Sequence, residues 1–147
     1  MGKILIALAL FFTYSLADAK IKWAKDYKDA IEKSVKQNKP IMFIISRDTC
    51  KYCIKLENTT FQDDKIIKKL NKSFIAVRAW TNEGDFIPMY VKQLTPGLPG
   101  IWFLYPGGMP MYEPILGYVG KDKFLKILSI INTDFKEYKK EYEGKSK

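Results

Sequence analysis

Three short runs of consecutive apolar residues, Ile41–Ile45, Phe74–Val77 and Ile101–Leu104, are separated by segments in which apolar residues recur every three or four positions. An unalternated β-rich run is the pattern of a strand covered on both faces, whereas the 3.6-residue period marks helices that bury one side. Trp23, Tyr27, Ala30, Ile31 and Val35 keep helical spacing. Asp26 is placed to cap that helix, Lys36 and Lys39 suit its end, and Pro40 stops it. A second helix is predicted from Cys50 to about Asn58, and a third starts near Asp63 with Ile66, Ile67 and Leu70 facing inward.

Beyond the second apolar run, Thr81 to Asp85 is a polar loop, and Ile87 to Leu94 is a short helix carrying Tyr90 and Val91. The loop Thr95-Pro96-Gly97-Leu98-Pro99-Gly100 leads into the third run, and Pro106-Gly107-Gly108 signals a turn. A fourth strand is predicted over about Met111 to Leu116, with Pro114 at an edge or bulge. Phe124, Leu128, Ile131, Phe135, Tyr138 and Tyr142 then form one helical stripe, which reads as a packing face. A strand–helix–strand crossover followed by a hairpin makes this an α/β chain, with a central mixed sheet of about four strands and helices on both faces.

The N-terminus has a different pattern. Lys3 precedes thirteen apolar-rich residues, Ile4–Leu16, and then the small-x-small triplet Ala17-Asp18-Ala19. This is the layout of a secretory signal peptide cleaved before Lys20. The stretch falls short of the roughly 20 residues that span a bilayer, which argues against an uncleaved anchor. The expected domain is therefore residues 20–147, ending in a basic helix, and working in the periplasm or another exported setting. Such compartments let disulfides form and persist.

The formal charge of +9 survives that cleavage, because Lys3 and Asp18 cancel. Lysines cluster at Lys65, Lys68, Lys69 and Lys72, and again from Lys136 to Lys147, but acidic residues are interspersed. No arginine–aromatic arrangement suits nucleic acid. These clusters read as solvated helix faces.

The chemistry concentrates in the two cysteines, Cys50-Lys51-Tyr52-Cys53, where a buried strand hands over to a helix N-terminus. A disulfide closing so small a loop adds little stability, since that benefit grows with loop length. A metal site wants about four ligands, and the chain has no histidine and no third cysteine. Thiol redox chemistry is the leading reading, ahead of a structural disulfide and of a metal site completed by carboxylates, with no metal and no cofactor beyond the pair's own disulfide expected. The helix N-terminus favours a thiolate at Cys50. Lys51 and Arg47 add attraction, and Asp48 opposes it. Cys50, in the first turn, is the expected attacker, and Cys53, one turn further in, the expected resolving thiol. Tyr52 lies between them as a candidate client contact.

With its dithiol at a strand–helix junction, Leu98-Pro99 just before a strand, and this element order between them, the chain resembles the thioredoxin superfamily from about Trp23 to Ile131. Cys53-Ile54-Lys55-Leu56-Glu57, followed by Thr60-Phe61 and Asp63, is similar to the exported subgroup near the C-terminal domain of the membrane thiol reductase DsbD. The resemblance implies a cis peptide at Leu98–Pro99 beside the thiols, with the Leu98 backbone pairing to a client strand. It also implies client proteins carrying disulfides as partners, and an upstream thiol reductant that is either soluble or membrane-bound. The alternatives are the oxidising or isomerising direction of the same exchange, or a non-catalytic binding module on the same fold.

Three positions depart from the family pattern. Thr49 stands where tryptophan usually precedes the first cysteine, Ile44 where many members bury a proton-accepting carboxylate, and Gly100 where threonine often follows the proline. Glu57, one helical turn beyond Cys53, is the candidate replacement acceptor, against a plain solvated position on the helix surface.

Overall fold

A computed structural model describes residues 20–145. The signal-peptide segment, residues 1–19, lies outside the described residues, as do Ser146 and Lys147. The elements are α1 (Tyr27–Gln37), β1 (Ile41–Ser46), α2 (Lys51–Asn58), α3 (Asp64–Ser73), β2 (Ile75–Trp80), α4 (Met89–Gln93), β3 (Gly100–Leu104), β4 (Ile115–Leu116) and α5 (Lys121–Lys145). A single 3₁₀ turn, Thr60–Gln62, joins α2 to α3.

The four strands form one mixed sheet in the order β2-β1-β3-β4. β1 runs parallel to β2, with Ile41 opposite Ile75 and Ser46 opposite Trp80. It runs antiparallel to β3, with Ile45 opposite Gly100. The C-terminal ends of β1 and β2 therefore meet the N-terminal end of β3 along one rim.

All six β1 residues are buried, and alternate side chains feed two cores. Met42 and Ile44 join Ile101, Phe103 and Ala76 beneath Leu56 of α2, Ile66 and Leu70 of α3, and Phe124 and Leu128 of α5. Ile41, Phe43 and Ile45 join Trp102, Leu104 and Val77 beneath Ala30 of α1 and Val91 of α4. Helices thus cover both faces, which accounts for the missing alternation in the apolar runs.

Helix ends follow local chemistry. The Asp26 carboxylate accepts the N–H of Asp29, and the Asp63 carboxylate accepts those of Lys65 and Ile66. Asn38 closes α1 in the left-handed region at φ 49°. Pro40 follows, as the proline stop requires.

Several expectations need correction. Trp23 precedes α1 and forms an isolated parallel bridge with Ala76, because the N–H of Ala24 donates to the Ala76 carbonyl at 2.7 Å and holds this segment extended. Val35 is 60% exposed. In the last turns of α1 it is Ser34 that turns inward, and its hydroxyl donates to the Lys39 carbonyl. Phe74 is the C-cap of α3 and not a strand residue, and β2 continues past Val77 to Trp80.

The fourth strand shrinks to Ile115–Leu116. Pro110 and Pro114 have no N–H to give to a ladder, so upstream the pairing continues as a single bridge between Leu104 and Pro110, flanked by Met111 N–H to Phe103 and Tyr105 N–H to Met109. The α5 stripe is buried as far as Phe135. Beyond it the packing is ring on ring, with Tyr138 at 4.3 Å from Tyr105 and 4.8 Å from Tyr142, and Tyr142 is 62% exposed.

Candidate active site

The rim where β1, β2 and β3 meet carries the cysteines. β1 ends at Ser46, Arg47–Thr49 cross into solvent, and Cys50 is the N-cap residue of α2. Its backbone is extended there, at φ −83° and ψ 115°, and its sulfur takes the place of a capping oxygen. The N–H of Cys53 donates to the Cys50 Sγ at 3.2 Å. An otherwise orphaned helix donor, aligned with the positive end of the helix dipole, therefore points at this sulfur.

The two sulfurs are joined as a disulfide across a Cα–Cα distance of 5.2 Å. Their environments differ. Cys50 is partly exposed, whereas Cys53 is 1% exposed and packs into the interior.

The flanking residues take distinct places. Lys51 is exposed at the first position of α2, and Tyr52 is 55% exposed. The Arg47 Nε donates to the Thr81 hydroxyl at 3.1 Å, so this guanidinium is partly committed to bracing the turn after β2. On the β3 side the Leu98–Pro99 peptide is cis. The Pro99 carbonyl accepts the N–H of Gly117, and Leu98 makes no backbone hydrogen bond among the described residues. An open groove of about 900 Å³ runs from Arg47 past Leu98 and Gly97 to Phe86 and Ile87.

Gly100 has a steric explanation. A Cβ there would run into the Thr95 side chain, which donates to the Val91 carbonyl and accepts the Trp102 indole N–H at 2.9 Å.

Glu57 is not a free surface carboxylate. Arg78 donates to it from β2 at 2.5 Å, with both side chains roughly three-quarters covered. The guanidinium is stacked between two indoles, 4.6 Å from the Trp23 ring and 4.5 Å from the Trp80 ring. Its Nε is buried and has no hydrogen-bond partner among the described residues. Arg78 lies opposite Ile44 in the β1–β2 register, so a cation, paired to Glu57, stands beside the place where the superfamily pattern puts a buried acid. Sequence reasoning missed Arg78 and Trp80. The alternation Ala76, Arg78, Trp80 was the available sign that they share the α2-covered face.

A family model named for DsbH-type thioredoxins, and described as a protein of unknown function, DUF255, matches residues 5–147. The chain belongs to this family. The solved structures that share its fold include a thioredoxin from Thermus thermophilus (TM-score 0.63, 20% identity, 76% of this chain and 87% of that one). A DsbH oxidoreductase gives a TM-score of 0.62 at 21% identity, over 89% and 94% of the two chains. The C-terminal domain of DsbD from Neisseria meningitidis, oxidised form, gives 0.52 at 23% identity, over 69% and 90%.

These likenesses establish the thioredoxin fold. Among longer proteins, spermatogenesis-associated protein 20 of mouse is 32% identical over 96 residues, 61% of this chain. The chain spans only 12% of that relative's length. Within the DsbH-type family the cysteine pair and the cis-proline rim are thus set on a thioredoxin scaffold. No helix among the described residues is long and apolar enough to cross a membrane.

Proposed function

We propose that this chain is an exported thiol–disulfide oxidoreductase that reduces disulfides in client proteins. The observation that carries the reading is the asymmetry of the pair: a partly exposed Cys50 whose sulfur receives a helix N–H, backed by a buried Cys53. An accessible sulfur stabilised as thiolate is an attacking group, and a shielded neighbour within disulfide reach is a resolving group. Export is supported by the apolar segment Ile4–Leu16 and the Ala17-Asp18-Ala19 triplet.

The cycle starts from the reduced dithiol. The Cys50 thiolate attacks one sulfur of a client disulfide, forming a Cys50–client bond and expelling the second client sulfur as thiolate. Cys53 loses its proton and attacks the Cys50 Sγ, breaking the mixed disulfide and expelling the first client sulfur. Two electrons pass to the client and the Cys50–Cys53 disulfide forms. An upstream thiol reductant restores the dithiol by the same exchange in reverse.

Leu98, whose backbone makes no hydrogen bond among the described residues, lines up the client chain as a short added strand, and Pro99 and Tyr52 bound the contact. Lys51 adds positive charge near the Cys50 thiolate. Glu57, one turn beyond Cys53, takes up the resolving thiol's proton, with Arg78 fixing its position.

Insulin reduction with dithiothreitol as electron source tests the assignment. Cys50→Ser should abolish turnover above background, and Cys53→Ser should accumulate the client mixed disulfide. Glu57→Gln should slow resolution of that mixed disulfide about a hundredfold, the lower end of the usual contribution of a general base. Turnover retained in Cys50→Ser would overturn the function.

A further inference from the structure

The turn before the dithiol has no aromatic residue: Arg47, Asp48 and Thr49 are all exposed, and Thr49 occupies the position preceding Cys50. An aromatic is nevertheless present on the same rim, supplied by a different strand. Trp80 is the last residue of β2 and lies directly opposite Ser46, the last residue of β1 before the turn. It shares the parity of Ala76, which lies in the core beneath α2 and α5, so its ring stands on the α2 side of the sheet.

Its placement is fixed from three directions. The backbone N–H of Trp80 donates to the Asp85 carboxylate at 2.8 Å, and its carbonyl accepts the N–H of Glu83 at 3.2 Å. The Arg78 guanidinium lies 4.5 Å over the ring and is itself backed by Trp23 and tied to Glu57. Trp80 ends an edge strand and keeps part of its surface exposed. Its indole N–H has no hydrogen-bond partner among the described residues.

We infer that Trp80 is the aromatic wall of the client-binding face, replacing the one missing at Thr49, and that Arg78 is the residue that positions it. The proposal rests on the exchange reading of the dithiol and names how the client is recognised. Leu98 meets the polypeptide on one flank of the dithiol with free backbone. Trp80 meets it on the other with an apolar ring and one free donor. An indole that is held rigid and partly exposed offers a large contact at little entropic cost, which is why tryptophan so often anchors polypeptide recognition. The partner this face fits is an extended segment of a disulfide-bonded protein with an apolar side chain next to its cysteine. A small disulfide carries no neighbouring side chain to meet Trp80.

The test compares efficiencies (kcat/KM) on disulfide-bonded insulin and on hydroxyethyl disulfide, which is small and uncharged, with dithiothreitol as electron source. Trp80→Ala should lower the insulin-to-hydroxyethyl-disulfide ratio about tenfold, mainly through KM, as expected for loss of one anchoring aromatic. Trp80→Leu, which keeps an apolar residue in the edge strand, serves if the alanine variant folds poorly, and Trp80→Phe should hold the ratio within about twofold. Adding Thr49→Trp to Trp80→Ala should recover at least about threefold of the loss. A ratio within twofold of the unaltered protein in Trp80→Ala and Trp80→Leu, or no recovery in the double variant, overturns the inference. Turnover of hydroxyethyl disulfide by the unaltered protein tests the exchange reading separately, since its absence would sink that reading regardless of Trp80.

Discussion

Ile41–Ser46 and Arg47–Cys50 are consecutive segments of one chain with opposite surroundings. The first is buried at every residue, sandwiched between Phe124 and Leu128 on one side and Ala30 and Val91 on the other. The second loses both covers within one residue and ends on a sulfur whose polar contact is a helix N–H. The difference shows how this fold separates stability from reactivity. Packing on two faces fixes where β1 ends, and the chemistry begins where the packing stops.

The sharpest way to break that separation is at the sulfur. Cys50→Ser should remove at least a thousandfold of the disulfide-reductase activity. Its thermal midpoint should match that of the reduced unaltered protein, because neither then holds the disulfide. It should fall little below that of the oxidised protein, because a four-residue loop constrains the unfolded chain little. Phe43→Ala should do the reverse. Deleting a fully buried ring costs about 3–5 kcal/mol in urea denaturation, while the alkylation rate of Cys50 in the folded fraction stays as it was. Asp63→Ala removes a cap that accepts two backbone N–H groups at the start of α3. It should cost about 1 kcal/mol with no change in turnover.

A smaller effect should appear only in alkali. Burial pushes the Tyr27 hydroxyl well above its ordinary value near 10, and the neighbouring Tyr90 hydroxyl adds to the shift. The unfolded chain then releases this proton at a lower pH than the folded protein does. Tyr27 therefore supports folding below pH 10 and loses that support as the pH rises toward its folded value. Comparing urea midpoints at pH 8 and pH 10.5, Tyr27→Phe should fall less than the unaltered protein. An equal fall in both would refute the assignment.

The parts of the fold that were legible are those where pattern and packing coincide. Ile41–Ile45 and Ile66, Ile67 and Leu70 read correctly because each side chain meets core on the side its period predicts. Misreadings came where one neighbour decides the outcome. Trp23 has helical spacing, but a backbone bond to Ala76 makes it a bridge. Val35 has the right period and faces solvent, while Ser34 takes the inward position by bonding to Lys39.

Within the site, the local signals were strong. Two thiols at a strand–helix junction and a proline abutting β3 are features of adjacent residues. The Glu57–Arg78 pair, 21 residues apart, and the Arg78 stack between Trp23 and Trp80 arise from β1–β2 register and helix placement. No short-range pattern encodes them. A polar residue at alternate parity within an edge strand was the sole trace.

The most direct measurement is the pH dependence of alkylation of the reduced protein by iodoacetamide, with the modified cysteine located by peptide mass spectrometry. The account predicts one fast site, Cys50, with its rate half-maximal below the ordinary thiol value of about 8.5, and Cys53 slower by at least about tenfold. Equal rates at the two cysteines, or a Cys50 that reacts only above that value, would contradict it.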